Sequence, residues 1–244
     1  MFDLSENMRL QHVSETHSYG EGFNGRLAKY RALMIRELHV RGGTLLDLGA
    51  GEGLLTKLIA RDFDCIEVVE ASPLYMEKAK SALEGYPAVF HNKLIEDFDS
   101  SSEFDIVLAS GVLEHVNEPQ RILGKIKKWL KKDGKFIGLV PNAKAFHRRI
   151  GLQMGLINDL HELGPQDLKV GHRRYYDLSM LRDEASNAGF SVVRSGGIFF
   201  KILPNAQMEP LSEEYCDALF SIGRDFPDLC AEIFIVCKKC TNDF

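Results

Sequence analysis

The chain of 244 residues has no long apolar run. Its longest, such as 233–237, fall far short of the roughly 20 residues that span a membrane. The opening stretch MFDLSENMRLQHV lacks the basic start and apolar core of a signal peptide. Five cysteines, at 65, 216, 230, 237 and 240, are an odd number without framework spacing, which excludes a disulfide scaffold and points to a reducing cytoplasm. Cys237-Lys-Lys-Cys240 has the CxxC form, but it closes an apolar run instead of opening a helix after a strand, so these read as incidental thiols. Positive charge is in deficit. Thirty Lys and Arg face 35 Asp and Glu, a net charge of −5, which argues against a surface that grips nucleic acid throughout. There is no internal repeat and no low-complexity tract. What is present, 45% hydrophobic and 27% charged residues, is globular in composition, and the length allows one large domain or two small ones.

From about residue 44 the pattern alternates strand and helix. β-rich runs fall at 44–48, 65–70, 88–91, 105–110, 135–140, 190–200 and 231–237. The first five are apolar without strict alternation, as in central strands covered on both faces. Between them, 119–132 places Ile122, Leu123, Ile126, Trp129 and Leu130 on one helical face, and Asp133-Gly134 is expected to end that helix. Such a rhythm predicts an α/β fold, a doubly wound and mostly parallel sheet with helices on both faces. Two segments stand outside it. Residues 1–43 form an N-terminal helical segment, with Leu27, Tyr30, Leu33, Met34 and Leu38 marking a helix, and 44–244 form the main domain. Residues 142–177 follow the fifth strand without a strand of their own, where open α/β sheets bind ligands, and so are expected to cap a substrate.

The most informative stretch is Leu45-Leu46-Asp47-Leu48-Gly49-Ala50-Gly51-Glu52-Gly53. A strand enters a glycine turn and then a helix marked by Leu54, Leu55, Leu58 and Ile59. Glycines let the chain turn sharply and let a ligand approach the main chain. The dinucleotide fingerprint GxGxxG is not met, because Leu54 stands where its third glycine would be. Asp47 would repel a pyrophosphate but suits an ammonium.

LLDLGAGEG resembles the first motif of class I S-adenosylmethionine (SAM)-dependent methyltransferases. Glu70 ends the next strand, 21 residues after Gly49, where an acid can take both ribose hydroxyls. Residues 104–116, FDIVLASGVLEHV, resemble the fourth strand and following loop of the branch containing ubiquinone-biosynthesis O-methyltransferases. GFSVVRSGG…AEIFIVCKK resembles the family's terminal hairpin. The resemblance implies a Rossmann-like seven-stranded sheet with its last strand antiparallel, and SAM as cofactor. Carried over by position, Asp47, Gly49, Ala50 and Gly51 surround the methionine part of SAM, and Glu70 holds the ribose. Ala71 and Tyr75 flank the adenine, Leu94, Ile95 and Glu96 wrap its edge, and Ser110 lies beneath the methionine end.

Methyl transfer is an in-line displacement that needs a positioned nucleophile and a base for its proton. His115 and His172 are the candidate catalytic residues. Some relatives bind a divalent ion through Glu-x-x-Glu-His. Here Gly111 replaces the first acid, leaving Glu114, His115 and His172, and no metal is assigned. The 142–177 insert carries six Lys and Arg against four acids, with two His-Arg-Arg triplets. Arginine forks suit phosphate or carboxylate. His147, Arg148 and Arg173 are therefore expected to meet an anionic small molecule, and Tyr19 to close the cleft from the N-terminal side.

The leading reading is a small-molecule methyltransferase acting on oxygen, with a sugar-, lipid-carrier- or metabolite-type acceptor. An RNA methyltransferase is disfavoured by the acidic balance and would show salt-dependent RNA binding. A non-catalytic SAM-binding partner subunit would bind SAM without turnover. The oligomeric state is open.

Overall fold

A computed structural model describes residues 4–240; the outermost residues of the two expected spans, 1–3 and 241–244, lie outside the described residues. One seven-stranded sheet runs in the order β3-β2-β1-β4-β5-β7-β6. Its strands are β1 (Thr44–Leu48), β2 (Cys65–Val69), β3 (Ala88–His91), β4 (Phe104–Ser110), β5 (Leu130–Pro141), β6 (Phe190–Ile198) and β7 (Glu232–Lys239). The first five are parallel. β7 lies between β5 and β6 and is antiparallel to both, so the last strand is antiparallel as the resemblance implies.

Period-two alternation sorts the strand residues into two cores. On one face Leu45, Ile66, Leu108 and Phe234 pack with Phe23, Leu27, Tyr30 and Met34 of α2 (Gly22–Glu37). The opposite face joins Leu46, Leu48, Val107 and Ile235 to Ile122, Leu123, Ile126 and Trp129 of α5 (Pro119–Trp129). Both apolar helix stripes read from the sequence are thus core-facing.

The expected helix end at Asp133-Gly134 is corrected. Helix α5 stops at Trp129, and Leu130 already pairs with Phe104. The register then jumps to Ile106↔Lys135, so Asp133 and Gly134 sit in a bulge inside β5. A Cβ on Gly134 would lie 2.8 Å from the Phe104 carbonyl, so glycine serves close strand approach here and not a helix cap. The 199–230 stretch carries two helices the sequence did not signal, α9 (Asn205–Met208) and α10 (Glu213–Ile222). Met208, Cys216 and Leu219 bury them in the α2-side core. α3 (Leu54–Ile59) and α4 (Pro73–Ala82) follow β1 and β2. α8 (Leu178–Asn187) precedes β6.

The insert at 142–177 holds α6 (Phe146–Gln153) and α7 (Pro165–Val170). Its base is closed by the bridge Asn142↔Tyr176, with the Ala143 N–H donating to the Tyr176 carbonyl at 2.8 Å. In the N-terminal segment, α1 (Leu4–Thr16) precedes α2, and Arg9 on it donates to the Val170 carbonyl at 3.1 Å. Segment and insert therefore meet over the carboxyl ends of β1 and β4, where the strand order reverses and open α/β sheets bind ligands.

Candidate active site

A cavity of about 770 Å³ lies at that switch point. Its floor is the glycine turn. Gly49 has φ of 68° and donates its N–H to the Val69 carbonyl at 2.7 Å. Gly53, with φ of 76°, caps α3, and a Cβ there would lie 2.9 Å from the Ala79 Cα, so packing of α4 against the turn also requires glycine. Asp47 is buried beneath, accepting the Thr56 hydroxyl at 2.5 Å. Burial pushes its carboxyl up to about 7, against the Thr56 bond and with a further push from Glu70.

Glu70 is also buried, and burial raises its pKa while backbone donors oppose the rise. Its Oε2 accepts the Gly51 N–H at 2.9 Å and its Oε1 the Ser72 N–H at 2.8 Å. These bonds orient the carboxylate and leave each oxygen a further acceptor site toward the cavity. Ala50, Ala71, Tyr75, Leu94, Ile95, Glu96 and Ser110 line the same cavity. The Tyr75 hydroxyl donates to the His17 carbonyl at 2.8 Å and its ring meets Tyr19 edge-on, with 5.7 Å between centroids. Tyr19 thus lies over the glycine turn. The segment bearing it is latched by Glu52, whose Oε2 accepts the Gly20 N–H at 2.6 Å and the Ser18 hydroxyl at 2.9 Å. Lys78 holds the other oxygen at 2.6 Å.

His115, in the loop after β4, and His172, on the insert, face each other with ring centroids 4.7 Å apart and line the same cavity. The His115 Nδ1 is 3.2 Å from the Gly171 carbonyl, which can only accept, so that nitrogen carries the proton. The His172 Nδ1 is 3.1 Å from Asp167 Oδ1, which also accepts the Tyr175 hydroxyl at 2.8 Å. Both Nε2 atoms are thereby left as acceptors. Burial pushes His115 down to about 3, and the neighbouring His172 and Arg9 add to the effect. Asp167 is raised by burial but brought below the ordinary carboxylate range overall by its bonds to His172, Gly164 and Tyr175. Glu114 is buried, its carboxyl pushed up to about 7 by burial, and its Oε2 has no partner. Ligand atoms of Glu114, His115 and His172 lie within 4.8 Å of one another, a donor set that suits a divalent cation.

Of the sequence-predicted site residues, the cavity includes all but Arg173. Its N–H donates to the Glu114 carbonyl at 2.8 Å and its Nε to the His115 carbonyl at 2.7 Å, so it ties the insert to the loop after β4. Arg148 does line the cavity, yet its guanidinium donates to the carbonyls of Leu160 and Glu162, at 2.8 and 2.7 Å, and lies 4.0 Å from the Tyr175 ring centroid. Arg149 and Arg174 likewise donate to carbonyls, of Lys144 and of Leu113 and Asn117. The four arginines of the insert are therefore engaged with backbone carbonyls, while its Lys144 pairs with Asp177 at 2.8 Å.

Among the lining residues that went unread in the sequence are Asp167, Lys201, Arg31 and Glu232. Asp167 and Lys201 carried no motif. Arg31 could have been found, because it sits one turn from Leu27 on the buried face of α2, where a cation needs a partner. That partner is Glu232 at the start of β7, whose two oxygens take two N–H groups of Arg31, the Nε at 2.8 Å.

Strand order, glycine turn and the acid after β2 together define a class I SAM-dependent methyltransferase, whose cofactor is S-adenosylmethionine. The family described as "Methyltransferase domain" matches residues 20–195, and the chain belongs to it. A ubiquinone biosynthesis O-methyltransferase of Paramagnetospirillum magneticum is 34% identical over 106 residues, 43% of each chain. The Coxiella burnetii (Dugway) protein of the same description is 25% identical over 177 residues, 70% of this chain and 73% of that one. The chain spans about two fifths of the length of the first curated relatives it matches. Among solved structures, the DhpI–SAH complex superposes with a TM-score of 0.60 at 11% identity, covering 98% of this chain and 95% of that one, a likeness of fold. No helix among the described residues is long and apolar enough to cross a membrane.

Proposed function

We propose that the protein transfers the SAM methyl group to an oxygen of a small anionic molecule, with Asp47, Gly49, Gly51 and Glu70 around the cofactor and His172 as the base. The observation that carries this reading is the division of one cavity. Asp47, Glu70 and the glycine turn line it after β1 and β2, suited to a cationic cofactor, and two imidazoles with open Nε2 atoms line it from the loop after β4 and the insert. His172 is assigned as the base because its Nδ1 meets Asp167, which would pair with the imidazolium formed there. His115 stays neutral and accepts a hydrogen bond from the acceptor. The relatives described as O-methyltransferases support oxygen as the acceptor atom. The test is a panel of hydroxylated small molecules, with and without acidic groups, assayed for S-adenosylhomocysteine. Turnover on an acidic member is the expected result. SAM binding with no product from any member would sink the reading.

The orphaned Glu114 Oε2 favours one variant of this mechanism. Glu114, His115 and His172 would hold a divalent cation, which when bound supplies Lewis-acid activation of a hydroxyl.

Asp47 predicts a pH dependence. Its carboxyl pKa is raised to about 7 in the free protein, so this group weakens folding as pH rises from its ordinary value of 3.8 through 7. A cofactor ammonium beside it favours the ionised form, so binding releases a proton near neutrality. Affinity for S-adenosylhomocysteine should then rise about tenfold between pH 6 and 7.5, with a calorimetric enthalpy that depends on the buffer. Asp47→Asn should flatten the profile. A flat profile in the unmodified protein would refute the pairing.

A further inference from the structure

Most cationic groups around the cavity already have partners. Arg31 is paired with Glu232, Arg148 is held by two carbonyls and an aromatic face, and Arg9 donates to Val170. Lys201, just beyond β6, differs. It lines the cavity, is half-buried, and its amine makes no hydrogen bond or ion pair with any described residue. It stands over the Phe23 ring, with 6.0 Å from Nζ to the centroid. Next to it stands His147, whose Nδ1 is buried without a partner. The two are fixed together, since the His147 backbone N–H donates to the Lys201 carbonyl at 3.2 Å.

Withdrawing an ammonium from water without a counter-charge is unfavourable, and so is an orphaned ring nitrogen. Both penalties vanish if a ligand brings an anion to this corner. We propose that Lys201 and His147 form a subsite for a single carboxylate carried by the methyl acceptor, an inference that rests on the small-molecule reading above. The choice of a monoanion follows from the charge balance. Among the described residues lining the cavity, Lys201 is the Lys or Arg side chain without an ion pair or hydrogen bond, and the nearby acids Glu232 and Asp167 already act on it. A dianionic phosphate would bring a second charge with nothing to meet it. His147, kept neutral by burial, offers one N–H in either tautomer.

The test is calorimetry on the protein saturated with S-adenosylhomocysteine, titrated with benzoate, methyl benzoate and inorganic phosphate. Benzoate should bind at least about tenfold more tightly than its neutral ester and than phosphate. Lys201→Met should remove that advantage while leaving S-adenosylhomocysteine affinity unchanged, and Lys201→Arg should keep most of it. Equal binding of benzoate and ester, tighter binding of phosphate, or an unaltered benzoate affinity in Lys201→Met would each overturn the proposal. The ester comparison uses the unmodified protein, so it stands even if a variant fails to fold. The methyl-transfer reading fails by another readout, absence of product across the acceptor panel, to which benzoate binding is indifferent.

Discussion

Replacing Glu70 with alanine should weaken binding of S-adenosylhomocysteine about a hundredfold or more. The carboxylate is set before any ligand arrives, with one oxygen on the Gly51 N–H and the other on the Ser72 N–H. Each oxygen retains a lone pair for a ribose hydroxyl. Hydrogen bonds to a charged group are worth about 1.5–3 kcal/mol each, so two lost bonds amount to roughly 3–6 kcal/mol. Every 1.4 kcal/mol is a factor of ten, which places the loss between about a hundredfold and ten-thousandfold. The lower figure is the better expectation, because the site opens to the cavity and water can replace part of what is removed. Glu70→Gln keeps the shape and one acceptor oxygen, and should lose about tenfold. Its new amide group would face a backbone N–H, since both carboxylate oxygens are acceptors now. Calorimetric affinities within threefold of the unmodified protein for Glu70→Ala would mean that the ribose is held elsewhere. A thermal melt of the unliganded variant separates this from collapse of the glycine turn, because Gly51 and Ser72 lose an acceptor too.

The positions around Glu70 show how much of the molecule was legible beforehand. Strand β1 begins and ends where its run does, because a central parallel strand is covered on both faces, and Leu45 to Leu48 are all buried. The run at 88–91 reads the same way, yet β3 is the edge of the sheet and none of its residues is buried, a position that its apolar residues do not disclose. The glycine turn was legible because positive φ and close backbone approach admit almost no other residue. Where tertiary context decides, the sequence was silent or misleading. Asp133-Gly134 carries a helix-stop signal, yet pairing of Leu130 with Phe104 ends the helix earlier and turns the same two residues into a bulge. The four-residue helix α9 has no periodicity of its own and is held by one buried side chain, Met208. The insert's arginines looked like anion hooks because arginine suits anions. Carbonyl oxygens where the insert crosses the β4 loop suit it equally, and only three-dimensional proximity shows which partner is present. Lys201 was invisible for the converse reason. A lone lysine after an apolar run is ordinary until the fold surrounds it and supplies its amine with no hydrogen bond or ion pair among the described residues.

The second large effect is expected at His172. In His172→Ala, kcat should fall by about 10²- to 10⁴-fold, the usual contribution of a positioned general base, while S-adenosylhomocysteine affinity stays unchanged. The unchanged affinity follows from position, since Glu70 and the glycine turn follow β2 and β1, whereas His172 is carried by the insert and bonds to Asp167. Asp167→Asn tests the support behind it. Asp167 accepts from the His172 ring and from the Tyr175 hydroxyl on one oxygen. An amide there can keep the geometry but not the charge that favours an imidazolium, so kcat should fall while KM moves little. His115→Ala should cost less, because burial already holds its pKa near about 3 and makes it a poor proton acceptor. A cation held by Glu114, His115 and His172 would reverse that order, since each ligand would then matter alike. Dialysis against a chelator separates the two cases. If His172 is the base, activity survives the chelator and His115→Ala remains the milder variant. If the three act as ligands, activity is lost with the ion and returns with it, and calorimetry with magnesium or zinc shows binding that Glu114→Gln abolishes. Full activity in His172→Ala would exclude both.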